Sequence, residues 1–318
     1  PAFGDRLERI AYNALPATFT PDMWAHQYDQ QANQVLCTVA ERSWTNGPEA
    51  NIFGQTPHFG CCHANFHQGW PKFVADLWMA TPDGGLAAVA YGPCELTTTL
   101  DGQRVTVVEE TEYPFGDEVT LRVDVESETA FPLHLRIPAW SEEPSVAVTG
   151  GECHAPEPGT YHVVERIWQP GDEVTVSLSS TVSAERRYNG SVALTRGPLV
   201  FSLPVAAQRK QIGGTQPAAD WEYYPTESWN YGVDVDTERP AESTELERRE
   251  PAQVPFDPAD PPVRLTVEGA RVPEWGLEDN WAGEIRHSPT RTTEQREKVT
   301  LVPYGATNLR VTEFPLLE

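Results

Sequence analysis

From Gly85 onward the chain is written in short runs that alternate apolar and polar residues, and this pattern most constrains what it can fold into. Leu86–Tyr91, Glu95–Leu100, Arg104–Val108, Val119–Val125 and Leu133–Ile137 are each four to eight residues long and rich in β-branched side chains. Side chains in a strand point alternately to opposite faces, so such runs bury one face and wet the other. Asp101-Gly102 between two of them predicts a tight hairpin, because both residues tolerate the left-handed backbone such turns need. Two further strands are expected around Tyr161–Val164 and Val174–Leu178, divided by the turn Gln169-Pro-Gly-Asp172. Several short strands at this spacing predict a β-sandwich. A second β region follows with Val192–Leu194, Leu199–Leu203, Val263–Val267, Val299–Val302 and Leu309–Val311. The Pro-, Glu- and Arg-rich stretch Thr237–Pro262 is expected to be a surface excursion or a partly disordered loop.

The first 85 residues read differently. Phe3, Leu7, Ile10, Ala11, Ala14 and Leu15 recur at helical spacing and give one apolar face, which Pro16 and Pro21 end. A second helix is expected over Pro71–Met79, with Phe73, Val74, Leu77 and Trp78 on its buried side. Between them Met23–Gly69 is long, polar and aromatic-rich, and loops of that length usually carry function. The helical pattern starts at Pro1 with no initiator Met, so the chain is expected to be a piece of a longer protein.

Charge narrows the partners. There are 47 acidic and 23 basic residues, a formal net charge of −24. Such a field repels a phosphate backbone and is indifferent to a neutral sugar, so nucleic acid is excluded as the expected partner. The acidic excess suits a protein kept soluble in high salt, and equally one that merely has an acidic surface. No run of about 20 apolar residues is present to span a bilayer, so no membrane role is expected.

Of the five cysteines, Cys37, Cys61, Cys62, Cys94 and Cys153, two are adjacent, and an odd count without regular spacing is no disulfide framework. A vicinal pair has three uses: a strained disulfide, a soft-metal site, or a nucleophile. Packing alone is the plain alternative. His63 and His67 stand four apart just beyond the pair, so Cys61, Cys62, His63 and His67 could form a tight metal site, although such histidines more often hydrogen-bond or line a sugar pocket. Trp24, Trp44, Trp70, Trp78 and Tyr28 could stack on sugar faces, Trp24 and Trp44 being favoured by their polar surroundings. Asp29, Glu41 and Glu49 could serve acid–base chemistry, with solvated surface charge as the plain alternative. Cys94 and Cys153 lie in β regions and read as structural, and unpaired reactive thiols favour a reducing, cytoplasmic compartment.

The run Gly60-Cys61-Cys62-His-Ala-Asn65 followed by Gly69-Trp-Pro-Lys72 resembles the double-cysteine motif of the beta-L-arabinofuranosidases of glycoside hydrolase family 127. The resemblance continues through Arg6–Leu15, Gln27–Asn33, Tyr91-Gly-Pro93, Leu135–Trp140, Thr195–Leu199 and Leu301–Tyr304. It implies a mixed α and β chain: the C-terminal part of a catalytic (α/α)6 barrel over 1–85, then β-sandwiches over 86–188 and 189–318. It further implies retaining exo-hydrolysis of a beta-L-arabinofuranoside in an oligosaccharide or glycan, with Cys61 as the nucleophile forming a glycosyl thioether. Zinc would be the cofactor, held by Cys62 and touched by Cys61. Tyr28 would be an active-site tyrosine, and His63 and Trp24 are expected with it at the substrate. The resemblance also brings a homodimer built through sandwich domains. Its Glu-x-Cys zinc motif and its acid–base glutamate have no counterpart in these residues and are expected before Pro1. The isolated chain is therefore expected to be a poor catalyst whose helices expose apolar faces. The competing readings are a non-catalytic carbohydrate-binding or assembly module, and a zinc-stabilised structural domain.

Overall fold

The computed structural model describes residues 1–318. Helix is confined to short pieces: α1 (Ala2–Arg9), a π-helical turn Ile10–Ala14, α2 (Leu15–Ala17), α3 (Cys61–Asn65) and α4 (Trp70–Ala75). The rest is predominantly β, and no helix is long and apolar enough to cross a membrane. The chain divides into two compact units, one of Pro1–Ala11 with His67–Thr181, the other of Tyr12–Phe66 with Val182–Glu318. The first 85 residues are thus shared between the units and form none of their own.

The first unit holds β1 (Trp78–Ala80), β2 (Leu86–Ala88), β3 (Cys94–Leu100), β4 (Gln103–Thr111), β5 (Glu118–Val125), β6 (Thr129–Ile137), β7 (Ser145–Val148), β8 (Cys153–His154), β9 (Thr160–Trp168) and β10 (Asp172–Ser177). They form one sheet in the order β1-β2-β6-β9 and another in the order β3-β4-β5-β10-β7-β8. The alternation read in the sequence is the alternation of burial: Val105 and Val107, Val119 to Val125 at every second residue, Leu133, Leu135 and Ile137, and Val174 and Val176 all point inward. Asp101 and Gly102 close the β3–β4 hairpin with positive φ at both positions. The expected helix over Pro71–Met79 stops at Ala75, and Trp78 begins a strand. Phe73, Leu77 and Trp78 are buried as expected, whereas Val74 is exposed.

At α1 the apolar stripe faces outward. Phe3 is 87% exposed, Ile10 61% and Leu7 40%. The helix is held instead by its polar side, where Asp5 and Glu8 form ion pairs with the buried Arg136 of β6. Glu8 also accepts hydrogen bonds from the Tyr91 backbone N–H (2.9 Å) and the Tyr113 hydroxyl. Gly4 allows the approach: a Cβ there would meet Arg136 Cδ at 2.6 Å and the Val89 carbonyl at 2.7 Å.

The second unit is built on an eight-stranded sheet. Its strands are β11 (Ser183–Arg186), β12 (Val192–Arg196), β13 (Leu199–Pro204), β14 (Ala207–Thr215), β15 (Ala218–Pro225), β16 (Tyr231–Asp234), β17 (Thr244–Arg248), β18 (Val263–Arg271), β19 (Leu277–Glu278), β20 (Trp281–Ala282), β21 (Glu297–Pro303) and β22 (Arg310–Val311). The sheet runs β11-β12-β13-β21-β18-β16, with β17 on β18 and β22 on β13, while β14–β15 and β19–β20 are separate hairpins. The stretch expected to be an excursion over Thr237–Pro262 thus contributes a strand, β17, to this sheet. Its charged side chains hide this, because a ladder is made by backbone groups and an exposed strand needs no apolar face.

Candidate functional site

The polar segment between Thr18 and Phe66, itself part of the second unit, is held together by side-chain amides. Gln27 Nε2 donates to the Asn51 carbonyl (2.6 Å), Gln34 Nε2 to Gln27 Oε1 (2.9 Å), and Asn51 Nδ2 to Gln34 Oε1 (3.0 Å). Gln30 accepts from Arg310 Nη2 (2.9 Å) and the Tyr304 hydroxyl (3.0 Å), and Asn33 accepts from the Thr312 backbone N–H (2.9 Å). A loop that carries so many backbone groups inward needs this pairing, since each buried orphan would cost roughly 1–3 kcal/mol. The run Gln27-Tyr-Asp-Gln-Gln-Ala-Asn33-Gln34 is therefore the loop's anchor. The flanking backbone is fixed by His26 N–H to the Gly54 carbonyl (2.8 Å) and by Cys37 and Phe53 bridging Tyr223 and Trp221 of β15.

On this frame α3 presents the thiol pair. Cys61 and Cys62 are both half-buried, with their sulfurs 4.0 Å apart and unbonded. The Cys61 thiol lies beside Tyr28 and pushes its phenol pKa up, first through a hydrogen bond and then through charge. Burial pushes the Cys62 thiol up, and its contact with Cys61 adds to that. His58 packs edge-on against Tyr28, ring centroids 4.9 Å apart. Asn65 Nδ2 donates to the Cys61 carbonyl (2.8 Å) and steadies the short helix.

His63, on the same helix, turns to a different set of neighbours. Its Nδ1 lies 3.1 Å from the Gln55 carbonyl, an acceptor only, so Nδ1 donates in this bond. With Trp24, Met23, His26, Gln55, Phe19 and Phe66 it lines a cleft of ≈ 260 Å³. Trp24 is 50% exposed, held out by a turn in which Asp22 Oδ1 accepts from Thr20 Oγ1 (2.6 Å) and from the Trp24 backbone N–H (3.2 Å). His26 escaped the sequence reading: a lone histidine in a loop gives no periodic signal, and only the fold shows it buried at the cleft wall.

Of the other candidates only Asp29 comes near, its charge helping to raise the Cys62 thiol and the Tyr28 phenol. Asp29 is engaged by Asn46, accepting from its backbone N–H (2.7 Å) and its Nδ2 (3.2 Å). Glu41 and Glu49 are exposed. Trp44 packs near Trp281 at 6.4 Å, Trp70 against Phe73 at 5.9 Å, and buried Trp78 donates to Glu109 (3.1 Å). His67 belongs to the first unit and His63 to the second. Cys37 is fully buried, its thiol pushed up to about 12 by desolvation.

The sulfur spacing can be tested against zinc. Two Zn–S bonds of about 2.3 Å at a tetrahedral angle put their sulfurs about 3.8 Å apart, close to the 4.0 Å of Cys61 and Cys62. A structural site needs four donors, and no group of three or more His, Cys, Asp or Glu side chains gathers anywhere in the chain. The two thiols supply two donors at a spacing that would suit zinc, and no third donor stands with them.

Fold and site together define a class: a predominantly β chain of two units, one of which carries a vicinal thiol pair on a loop helix beside a tyrosine. Residues 85–180 match the family described as beta-L-arabinofuranosidase, GH127 middle domain, in line with the resemblance carried by the double cysteine. Among solved structures, the chain is similar to a GH127 beta-L-arabinofuranosidase from Geobacillus stearothermophilus T6, with 22% identity and a TM-score of 0.67 over 100% of this chain and 46% of that one. It is similar to a glycoside hydrolase at 18% identity and a TM-score of 0.64, over 100% of this chain and 49% of that one. A GH127 beta-arabinofuranosidase gives 16% identity and a TM-score of 0.66, over 99% of this chain and 45% of that one. The chain spans about half the length of these structures, and at such identities the likeness is one of fold. No curated protein matches it.

Proposed function

We propose that this chain is part of a glycoside hydrolase that releases beta-L-arabinofuranose from a glycan with retention of configuration, using Cys61 as the nucleophile. The observation that carries the reading is the Cys61–Cys62 pair on α3 with Tyr28 against Cys61, in a chain with a GH127 middle domain match. In the first step Cys61 Sγ bonds to the anomeric carbon as the bond from that carbon to the leaving oxygen breaks. The leaving oxygen takes a proton from a general acid, and water, giving its proton back to that group, later displaces the sulfur from the face the leaving oxygen departed, so that two inversions give retention. The Tyr28 hydroxyl lies beside the sulfur. Trp24 and His63 belong to the substrate side of this reading.

None of Asp29, Glu41 and Glu49 suits the acid role: Asp29 is spent on Asn46 and the others face solvent. The acid and the remaining zinc donors must come from outside these residues. Helices α1 to α4 fit this reading as part of an (α/α)6 barrel. A second reading, a non-catalytic carbohydrate-binding or assembly module, is favoured by that same missing carboxylate.

The two part in one experiment: incubation of the 318-residue chain with an electrophilic arabinofuranosyl probe, followed by peptide mapping and zinc analysis. The enzyme reading expects the adduct on Cys61, none in Cys61→Ser, and sugar-dependent protection. Labelling that ignores competing sugar, or falls on exposed Cys153 alone, refutes the nucleophile and leaves the binding module.

A further inference from the structure

The two sheets of the first unit end on open edges, β8 in one and β9 in the other, and a histidine stands on each edge strand. Directly opposed residues of an antiparallel ladder share a face. His154 lies opposite Val146 of β7, and His162 opposite Leu135 of β6. Val146 and Leu135 are both 0% exposed, so the two imidazoles stand on the buried faces of their sheets, at the rim where the core meets solvent. His154 is exposed and His162 half-buried, which leaves both within reach of a solute. Cys153 lies opposite exposed Ala147 and so takes the other face of β8.

Across that rim the two rings meet. Their centroids are 5.2 Å apart with 39° between the planes, and neither ring has a hydrogen-bond or ion-pair partner in the chain. By contrast His63 bonds the Gln55 carbonyl and His134 pairs with Asp83. Two imidazoles on one metal ion, with bonds of about 2.1 Å at angles of about 90–110°, hold their ring centroids about 4.6–5.3 Å apart. The observed spacing falls in that window. A plain aromatic pair can sit at the same distance, but it leaves every ring nitrogen without a protein partner. Imidazole suits zinc, copper and nickel, whereas magnesium and calcium want oxygen donors. Two protein donors are too few for a closed structural zinc site, so water fills the remaining positions and the ion stays exchangeable.

We propose that His154 and His162 form a two-imidazole site for a divalent transition metal ion of the nickel and copper class, completed by water, which clips the edge strands of the two sheets together. The site lies wholly in the first unit and shares no residue with the Cys61–Cys62 pair. It stands whether or not Cys61 is a nucleophile.

The test is calorimetric titration of the chelator-stripped 318-residue chain with Ni2+, with Tm and amide exchange recorded for each variant. A saturable site is expected, and Ni2+ should raise Tm and slow exchange in β8 and β9, because only the folded chain holds both rings in place. His154→Ala and His162→Ala are each expected to weaken this site about a hundredfold, since the second bond to the ion is then lost. His154→Ala, at an exposed position, should leave the metal-free Tm unchanged, and it keeps the test open if His162→Ala fails to fold. Mg2+ should give no histidine-dependent binding, and Cys61→Ser is expected to keep the site. Absence of a saturable Ni2+ site, or binding unmoved by either histidine variant, overturns the proposal and leaves an aromatic pair. Loss of the site in Cys61→Ser also overturns it, by moving the ion to the thiols.

Discussion

Replacing Arg136 by Met asks what holds α1. The guanidinium is fully buried; it pairs with Asp5 and Glu8, donates through Nε to the Val89 carbonyl at 2.7 Å, and lies over the Tyr91 ring at 5.5 Å. Burial acts to lower its pKa, and Glu8 together with Tyr113 and Tyr91 more than offsets this, so the charge is retained. Burial likewise pushes the Glu8 carboxyl up, against Arg136, Tyr113 and the Tyr91 N–H. Without the guanidinium Glu8 keeps only two hydrogen bonds for a carboxylate with 0% exposure. Breaking a buried pair in this way costs about 3–5 kcal/mol. Met roughly conserves the aliphatic volume, so little of that is packing. Urea denaturation of Arg136→Met, Glu8→Gln and the double variant is the assay. The double variant should recover at least about 2 kcal/mol of the Arg136→Met loss, because neither charge is then left alone. Amide exchange should show α1 opening first in Arg136→Met. A loss below about 1 kcal/mol, or strictly additive changes, would refute the claim that a polar pair docks this helix.

Three further outcomes are expected. Glu109, 2% exposed on the inward face of β4, has its pKa pushed up to about 8 by burial, with the Gly92 and Trp78 N–H groups pulling the other way. An acid whose folded pKa is raised stabilises fully below its unfolded value near 4.5 and loses that contribution as pH rises to about 8. The unaltered chain should therefore lose up to about 1.4 kcal/mol per pH unit relative to Glu109→Gln across that window; superimposable stability–pH curves would count against it. In thiol titration, exposed Cys153 should react first and Cys37 only on unfolding, since Cys37 is fully buried with a thiol near 12; prompt reaction of all five would contradict the burial. On α1, Phe3→Ser should change stability by less than about 0.5 kcal/mol and reduce self-association seen by light scattering, whereas Gly4→Ala should destabilise by more than about 1 kcal/mol because its Cβ would meet Arg136 and Val89.

Strands β2 to β6, β9, β10, β12, β13, β18, β21 and β22 were legible in the sequence because alternation is local: Val105, Val107 and Glu109 share a face whatever lies across from them. The hairpin at Asp101-Gly102 was equally plain, since its backbone demand is met by those two residues alone. The vicinal cysteines announced themselves by adjacency. The outward turn of Phe3, Leu7 and Ile10 was not readable, because an apolar stripe says that a face prefers burial and not that a partner is there. What holds α1 is a guanidinium in β6, far along the chain. Nor was β17 readable, as its ladder owes nothing to its charged side chains. The gathering of Tyr28 and Cys61, and of Trp24, His26 and His63, came from bridges between segments remote in sequence. Local pattern determined which residues could be strands and which could be chemistry. Only the tertiary structure decided which side chains meet, because that choice is made by whole-chain packing and the pairing of buried polar groups.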